Sequence, residues 1–484
     1  MYRSTQFVAA TLVAALAVAC TSSETDPVAP SHGTTARFNI TPTATAWYDA
    51  SPRQPIKGWG VYPAGGAQPF WHAGTIEDAI YRLGVTHVRE AIDPALYVSG
   101  TSVANMQLNT TLLNQYIAKI AYAKSHGATA YVLAVWSPPA IWKTNHSLLG
   151  VANGNVGYLQ TWAEPYFVAF VTKVMLALKA SNIGLPVAFS IQNEPAHLAP
   201  YNGCEYPPDQ WQRVMQHVRG SFDYVGLQSV LLFGPETGQY TPALFSNYVT
   251  RAPGYFGGIG YPSLTGYLDY AVGAYSFHTY AECSLALTQQ AVALHPKDMW
   301  MTEFGLPSGT TELQWTLDMM AAMGAHLIIE PNNYWFWWMG WSPTTGAPPM
   351  GQLLGGTTSP IYSKRYWVLQ KMFTTVRPWW RVHSLTTTDP DLQTGMGSQN
   401  QCVARVNLMG FSSPDGKTIA ILIVNTSSSN KELQIAGLPG AFSVQNSWRT
   451  DAWNDMLEQH ASNVYKGNST IAAPANSVVI AVLH

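Results

Sequence analysis

Two short motifs carry the chemistry this chain could perform. Gln192-Asn193-Glu194-Pro195 closes the apolar, strand-like run that begins at Pro186, and Trp300-Met301-Thr302-Glu303-Phe304-Gly305 closes another such run well downstream. A carboxylate at the tip of each of two barrel-type strands is the minimum equipment for retaining glycoside hydrolysis. One carboxyl protonates the leaving oxygen and later takes a proton from water, while the second, about 5 Å away, attacks the anomeric carbon. Glu194 and Glu303 fit these two roles; the bland alternative is a carboxylate that caps the helix after its strand. Glu236 also ends a strand-like run and reads as a hydroxyl acceptor or structural group.

Eight apolar runs can supply the strands that hold such groups: Gly58 to Pro63, Thr86 to Ile92, Thr129 to Pro139, Pro186 to Pro195, Ser229 to Glu236, Gly273 to Tyr280, Asp298 to Gly305 and Asn332 to Gly340. Helical periodicity fills the intervals at Thr111 to His126, Tyr158 to Ser181, Pro208 to Gly226, Leu285 to His295, Thr311 to Met323 and Lys364 to Val376. Strands alternating with helices in this number specify an α/β fold, a (β/α)8 TIM barrel over residues 57–382, with its working groups at the carboxyl ends of the strands. From His383 to His484 the runs become short and β-branched with turns between them, which predicts a side β-sandwich. The extended segment 36–56 is expected to add an edge strand to that sandwich.

Composition narrows the partners. Charged residues make up 11% of the 484 and the formal net charge is -2, so there is no electrostatic footprint for nucleic acid. The 18 Trp and 25 Tyr exceed what a core tends to use, and flat aromatic faces stack on sugar rings. Arg3, the apolar run from Phe7 to Ala19 and the small residues Ala17-Val18-Ala19 predict an export signal over residues 1–19. Ala19-Cys20 resembles the end of a lipobox, although Ala17 stands where Leu is usual, so lipidation of Cys20 is expected against ordinary cleavage. Residues 20–35 then read as a flexible tether. The expected location is outside the cytoplasm, lipid-anchored at the envelope or secreted, with the membrane met only through that anchor. A Cys204–Cys283 disulfide is expected, the alternative being free buried thiols. No Cys/His spacing suggests a metal site, and no cofactor is called for.

A series of motifs resembles glycoside hydrolase family 30: Gly58-Trp59-Gly60, Arg89, Trp136-Ser-Pro-Pro-Ala-Ile-Trp142-Lys-Thr-Asn145, Gln192-Asn-Glu-Pro, His278-Thr-Tyr280, Thr302-Glu303-Phe, Tyr334-Trp335-Phe-Trp337, Arg365-Tyr-Trp-Val-Leu and Val376-Arg-Pro-Trp. The similarity runs through nearly all of the chain after the tether, and the Trp136 to Asn145 stretch is its most specific part. The resemblance implies a retaining (β/α)8 enzyme with a sandwich built from both termini, Glu194 as acid/base and Glu303 as nucleophile. Asn193 can hold a substrate hydroxyl or orient the nucleophile, and Arg89 can donate a charge-assisted hydrogen bond to Glu303. Trp59 is expected at the pocket floor. Trp136 and Trp142 are expected to wall the cleft, aided by a cis Ser137-Pro138 peptide. His278 and Tyr280 share a strand face, as do Trp335 and Trp337, one of which is expected beneath the reacting sugar.

Family 30 acts on glucosylceramide, β-1,6-glucans, β-1,6-galactans and xylans with or without glucuronate branches. Gly340 to Ser363 contains neither Lys nor Arg, which argues for a neutral glycan. The expected function is an endo-acting β-xylanase or β-glucanase, monomeric, on β-linked polysaccharide or oligosaccharide. An exo-acting β-glycosidase and a non-catalytic surface glycan-binding protein are the alternatives.

Overall fold

Parallel pairing closes eight strands on themselves: Gly58–Ala64, His87–Ile92, Ala130–Val135, Ala188–Ser190, Leu231–Thr237, Ala274–His278, Asp298–Phe304 and Asn332–Trp341, taken below as barrel strands one to eight. The computed structural model describes residues 42–64, 75–238, 248, 271–278, 297–305, 310–348, 351–393, 395–396, 404–460, 464–465 and 468–484. Each barrel strand lies on a run expected from the sequence. Strand eight returns to strand one with Tyr334 opposite Gly58 and Phe336 opposite Gly60. That register explains the glycines of strand one: a side chain on Gly60 would enter the Phe336 ring, and one on Gly58 would strike Tyr334 and His87. Phe336, Val132, Ala188, Phe233, Ala274 and Trp300 fill the barrel interior, leaving chemistry to the strand ends.

Helix starts follow capping as much as periodicity. Asn109, Thr311 and Ser363 each accept a backbone N–H from three residues on, opening helices Thr110–Ser125, Glu312–Ile328 and Lys364–Thr375. The helix expected from Tyr158 begins only at Glu164, because Tyr158 is bridged to Glu205 and Thr161–Ala163 forms a tighter turn. Helix Pro208–Tyr224 lies as expected, and the expected helix at Leu285 to His295 falls outside the described residues. No described helix is long and apolar enough to cross a membrane.

The tail forms the sandwich. In Ile419–Asn425 and Ser477–Leu483, Ile419, Ile421, Ile423, Val479, Ala481 and Leu483 face the sandwich core. Ala420, Leu422, Val424, Val478 and Ile480 belong instead to the core shared with the barrel. Burial on both faces is why these strands read as unbroken apolar runs rather than as alternation. Gly324 in helix Glu312–Ile328 permits the close approach, since a side chain there would meet the Val406 carbonyl at 2.4 Å. One expectation is corrected. Ala44–Tyr48 is no edge strand: it lies between Arg381–Thr387, to which it is antiparallel, and Lys431–Ala436, to which it is parallel. Both of its edges are hydrogen-bonded, and Ala46 and Tyr48 face the sandwich core.

Between helix Glu312–Ile328 and strand eight, Glu330 is buried and accepts a hydrogen bond from the Asn332 amide at 3.3 Å. Burial pushes its carboxyl from 4.5 up to about 8. Between those two values the unfolded chain releases a proton that the folded chain keeps. Stability therefore falls as pH rises across that window, by about 1.4 kcal/mol per unit at most. Glu330→Gln should raise the melting temperature clearly at pH 8 and hardly at pH 4, which thermal unfolding at the two pH values checks.

Candidate active site

Every barrel strand delivers a side chain to one cluster at the carboxyl end. Strand two supplies Arg89, whose guanidinium is fully buried. It donates to Glu303 Oε2 at 2.8 Å, to Glu236 Oε1 at 2.9 Å and to Asn193 Oδ1 at 2.5 Å. Its plane also lies 4.5 Å from the centre of the Trp136 ring, after strand three. Strand six ends on His278, whose Nδ1 is 3.1 Å from Glu194 Oε1 and 3.7 Å from Glu303 Oε2, while Nε2 is 3.7 Å from Glu236 Oε1.

The turn after strand four is pinned on several sides. The Asn193 N–H donates to the Val135 carbonyl at 2.7 Å and the Glu194 N–H to the Glu236 carbonyl at 3.1 Å. Gln192 Nε2 donates to the Trp136 carbonyl at 2.7 Å. Glu194 and Glu236 both adopt left-handed backbone, φ 49° and 52°, a conformation that non-glycine residues hold only when their surroundings enforce it. Gly238 leaves the space that the Glu194 carboxylate fills, since a Cβ there would lie 1.9 Å from Oε1. One carboxylate oxygen each of Glu194 and Glu303, with one His278 ring nitrogen, lie within 4.8 Å of one another. These three could share a cation, but Arg89 already supplies positive charge to Glu303 at 2.8 Å.

Three carboxylates thus meet a guanidinium and an imidazole, and they titrate as a unit. Burial opposes charge on His278, yet Glu303, Glu194 and Glu236 outweigh it and raise the imidazole to about 9. Burial also opposes charge on Glu236, and Arg89 beside it holds that carboxyl below the ordinary range. With His278 and Arg89 both charged, one proton on the Glu194/Glu303 pair makes the cluster neutral. In the substrate-free site burial sends that proton to Glu303, whose carboxyl rises to about 7. Glu194, equally buried, is held low by the hydrogen bond and charge of His278 and by the Tyr201 hydroxyl. The resting pattern is the reverse of the protonated Glu194 and ionised Glu303 that the sequence argument anticipates, and the cause is His278, read from sequence as a wall residue.

No protein-family model matches the chain, and no curated protein matches its sequence. Likeness appears in the folded structure. A family 30 subfamily 8 xylanase from Clostridium acetobutylicum superposes with a TM-score of 0.67 at 18% identity, over 91% of this chain and 99% of the xylanase. A family 30 endoxylanase from Clostridium papyrosolvens C71 gives 0.67 at 19%, over 90% and 99%. An endo-β-1,6-glucanase gives 0.61 at 13%, over 92% and 93%. The chain has the fold of the family 30 glycoside hydrolases.

Of the expected site residues, Arg89, Trp136, Asn193, Glu194, His278 and Glu303 meet in this cluster. Four tryptophans do not, and all are corrected. Trp59 lies against Phe373 and donates to the Val376 carbonyl, on the helix side of strand one. Trp142 packs on Tyr97 and Phe170. Trp335 donates to His326, and Trp337 packs on Phe304 and Trp335. Strand eight presents Trp338 instead, stacked on Tyr62 at 4.3 Å and on Trp136 at 5.9 Å. The register sets the parity of strand eight: Gly58 and Gly60 lie opposite the inward Tyr334 and Phe336, and two further along is Trp338. The cis peptides among the described residues are Gly234–Pro235 and Trp338–Met339, so Ser137–Pro138 is trans. Cys204 is a free, buried thiol, and the disulfide expected between it and Cys283 falls outside the described residues. Cys283, Tyr280 and Cys20 lie outside the described residues. Tyr201, which donates to Glu194 Oε2 at 2.7 Å, was missed because nothing in a loop tyrosine announces its partner.

Proposed function

We propose that this chain is a retaining β-glycoside hydrolase, exported, monomeric and acting within neutral β-linked polysaccharide as a xylanase or β-glucanase. What carries the reading is the approach of one carboxylate oxygen of Glu194 to within 4.8 Å of one of Glu303. That spacing favours double displacement over the inverting route, which needs roughly 6.5 to 9.5 Å to admit water. In this mechanism the proton that rests on Glu303 passes to Glu194 as substrate enters; Glu303, steadied by Arg89, then attacks the anomeric carbon while Glu194 protonates the leaving oxygen. Glu194 then takes a proton from the water that releases the sugar. Trp338, with Tyr62 and Trp136, is the proposed platform for the reacting ring, in place of Trp335 or Trp337.

A neutral substrate is supported by how the basic residues just after the last barrel loop are paired. Arg365 is buried and paired with Glu312 at 3.1 Å, and Lys364 is paired with Asp455 at 2.7 Å. The xylanases and the endo-β-1,6-glucanase that share this fold fit the same substrate class. The test is the anomeric form of the first product released from an unbranched β-glycan, followed by proton NMR before mutarotation. A β-anomer is expected, and an initial α-anomer overturns the mechanism.

A further inference from the structure

Between the loops that follow strands three and four lies a buried amine that the mechanism above does not use. Lys143 is fully buried, and its Nζ donates to the Leu149 carbonyl at 2.8 Å, the Leu148 carbonyl at 3.1 Å, the Gly203 carbonyl at 2.5 Å and Ser137 Oγ at 3.2 Å. Leu148 and Leu149 belong to the first loop, Gly203 to the second. The same two loops are laced by backbone bonds from Gly150 to the Tyr201 carbonyl at 2.9 Å, from Val151 to the Ala199 carbonyl at 2.9 Å and from Gly203 to the Leu148 carbonyl at 3.1 Å. Tyr201, in the middle of the second loop, is half exposed but its hydroxyl reaches Glu194. An ammonium has three donors and no acceptor, so a cage of carbonyls from both strands of a seam is an arrangement it joins with no lone pair left facing them.

We propose that Lys143 is a positioning residue for the reaction: by clamping the seam between the two loops it holds the Tyr201 hydroxyl on Glu194. The inference rests on the glycosidase reading, and three consequences separate it from a general packing role. Protonation of the leaving oxygen matters little when the leaving group departs unaided, so the clamp acts selectively on poor leaving groups. The Tyr201 hydrogen bond lowers the Glu194 pKa, so losing it raises that pKa and moves the basic limb of the rate profile to higher pH. Lys143 and Tyr201 act in series, so their effects do not add.

The experiment compares Lys143→Met, Tyr201→Phe and the double variant on an unactivated β-glycan and on the matching dinitrophenyl glycoside. Lys143→Met should lose about tenfold or more in kcat/KM on the glycan and under about threefold on the activated glycoside. Its basic limb should move up as in Tyr201→Phe, and the double variant should match Lys143→Met. Equal losses on both substrates, or additive losses, overturn the proposal. Should Lys143→Met fail to fold, Lys143→Gln, which keeps two donors without the charge, should show the same selectivity in weaker form, and its absence is equally fatal. Amide hydrogen exchange gives a readout without turnover. Residues 196–206 should exchange faster in the Lys143 variants than in wild type or Tyr201→Phe, and unchanged exchange overturns the clamp. Wild-type protein that hydrolyses neither substrate overturns the glycosidase reading instead.

Discussion

Glu303→Ala is expected to leave no more than about one part in ten thousand of wild-type turnover, because without a carboxylate on strand seven no glycosyl-enzyme can form. Glu194→Ala should differ in kind. It should lose most of its activity on poor leaving groups yet form the covalent intermediate from activated glycosides, and azide should then release a β-glycosyl azide, since that nucleophile needs no base. Azide added to Glu303→Ala can only attack directly and should yield the α-azide. The outcome matters because the resting charges do not settle the division of labour. His278 and Tyr201 favour ionised Glu194 in the empty site, while burial favours protonated Glu303. A β-azide from Glu303→Ala and an α-azide from Glu194→Ala, identified by NMR, would exchange the two roles.

Arg89→Met should be the most damaging substitution in stability as well as rate. The guanidinium is the cation bonded to both Glu236 and Glu303, and the first of these carboxylates is wholly buried. Removing one partner of a buried pair strands the other charge, at a typical cost of about 3 to 5 kcal/mol. The stranded carboxyls escape by taking up protons, so the deficit should shrink on acidification. Relative to wild type, the loss in melting temperature should be larger at pH 8 than at pH 5, and turnover should fall at both. Arg89→Lys should recover little, because one ammonium cannot reach Glu303, Glu236 and Asn193 in the fork that the guanidinium spans. A deficit independent of pH would show that the pairing is not what Arg89 contributes.

The barrel was legible because its strands are buried on both faces and three of its helices begin at clear caps, signals that do not depend on distant contacts. Glu194, Glu303, Arg89 and Asn193 were legible for a related reason: polar residues at the end of an apolar run have nowhere to go but the mouth of the barrel. The aromatic residues were not legible in the same way. Tyr334 to Trp338 is aromatic at every position, so the run carries no alternation, and choosing Trp335 and Trp337 put the platform on the helix side. Trp59 misled because it was set at the pocket floor, whereas the glycines on either side of it face inward and make room for the rings of strand eight. The role of His278 depends on three carboxylates from three other strands, a convergence that exists only after the barrel closes. Ala44–Tyr48 could be read as a strand from its own residues, but its place within the sheet is fixed by partners at the far end of the chain.

That placement bears on how the polypeptide is made and how it can be cut. The middle of the sandwich cannot zip up until the barrel between Ala44–Tyr48 and Arg381–Thr387 has left the ribosome, so the first strand to emerge waits longest for its neighbours. Starting an expressed fragment at Gly58, the natural choice for isolating the barrel with its tail, would not trim a border. It would open a slot down the sheet and bare the hydrogen-bonding rims of Arg381–Thr387 and Lys431–Ala436 together, an invitation to strand exchange between molecules. The missing strand supplied as a separate peptide is the piece whose two edges match that slot.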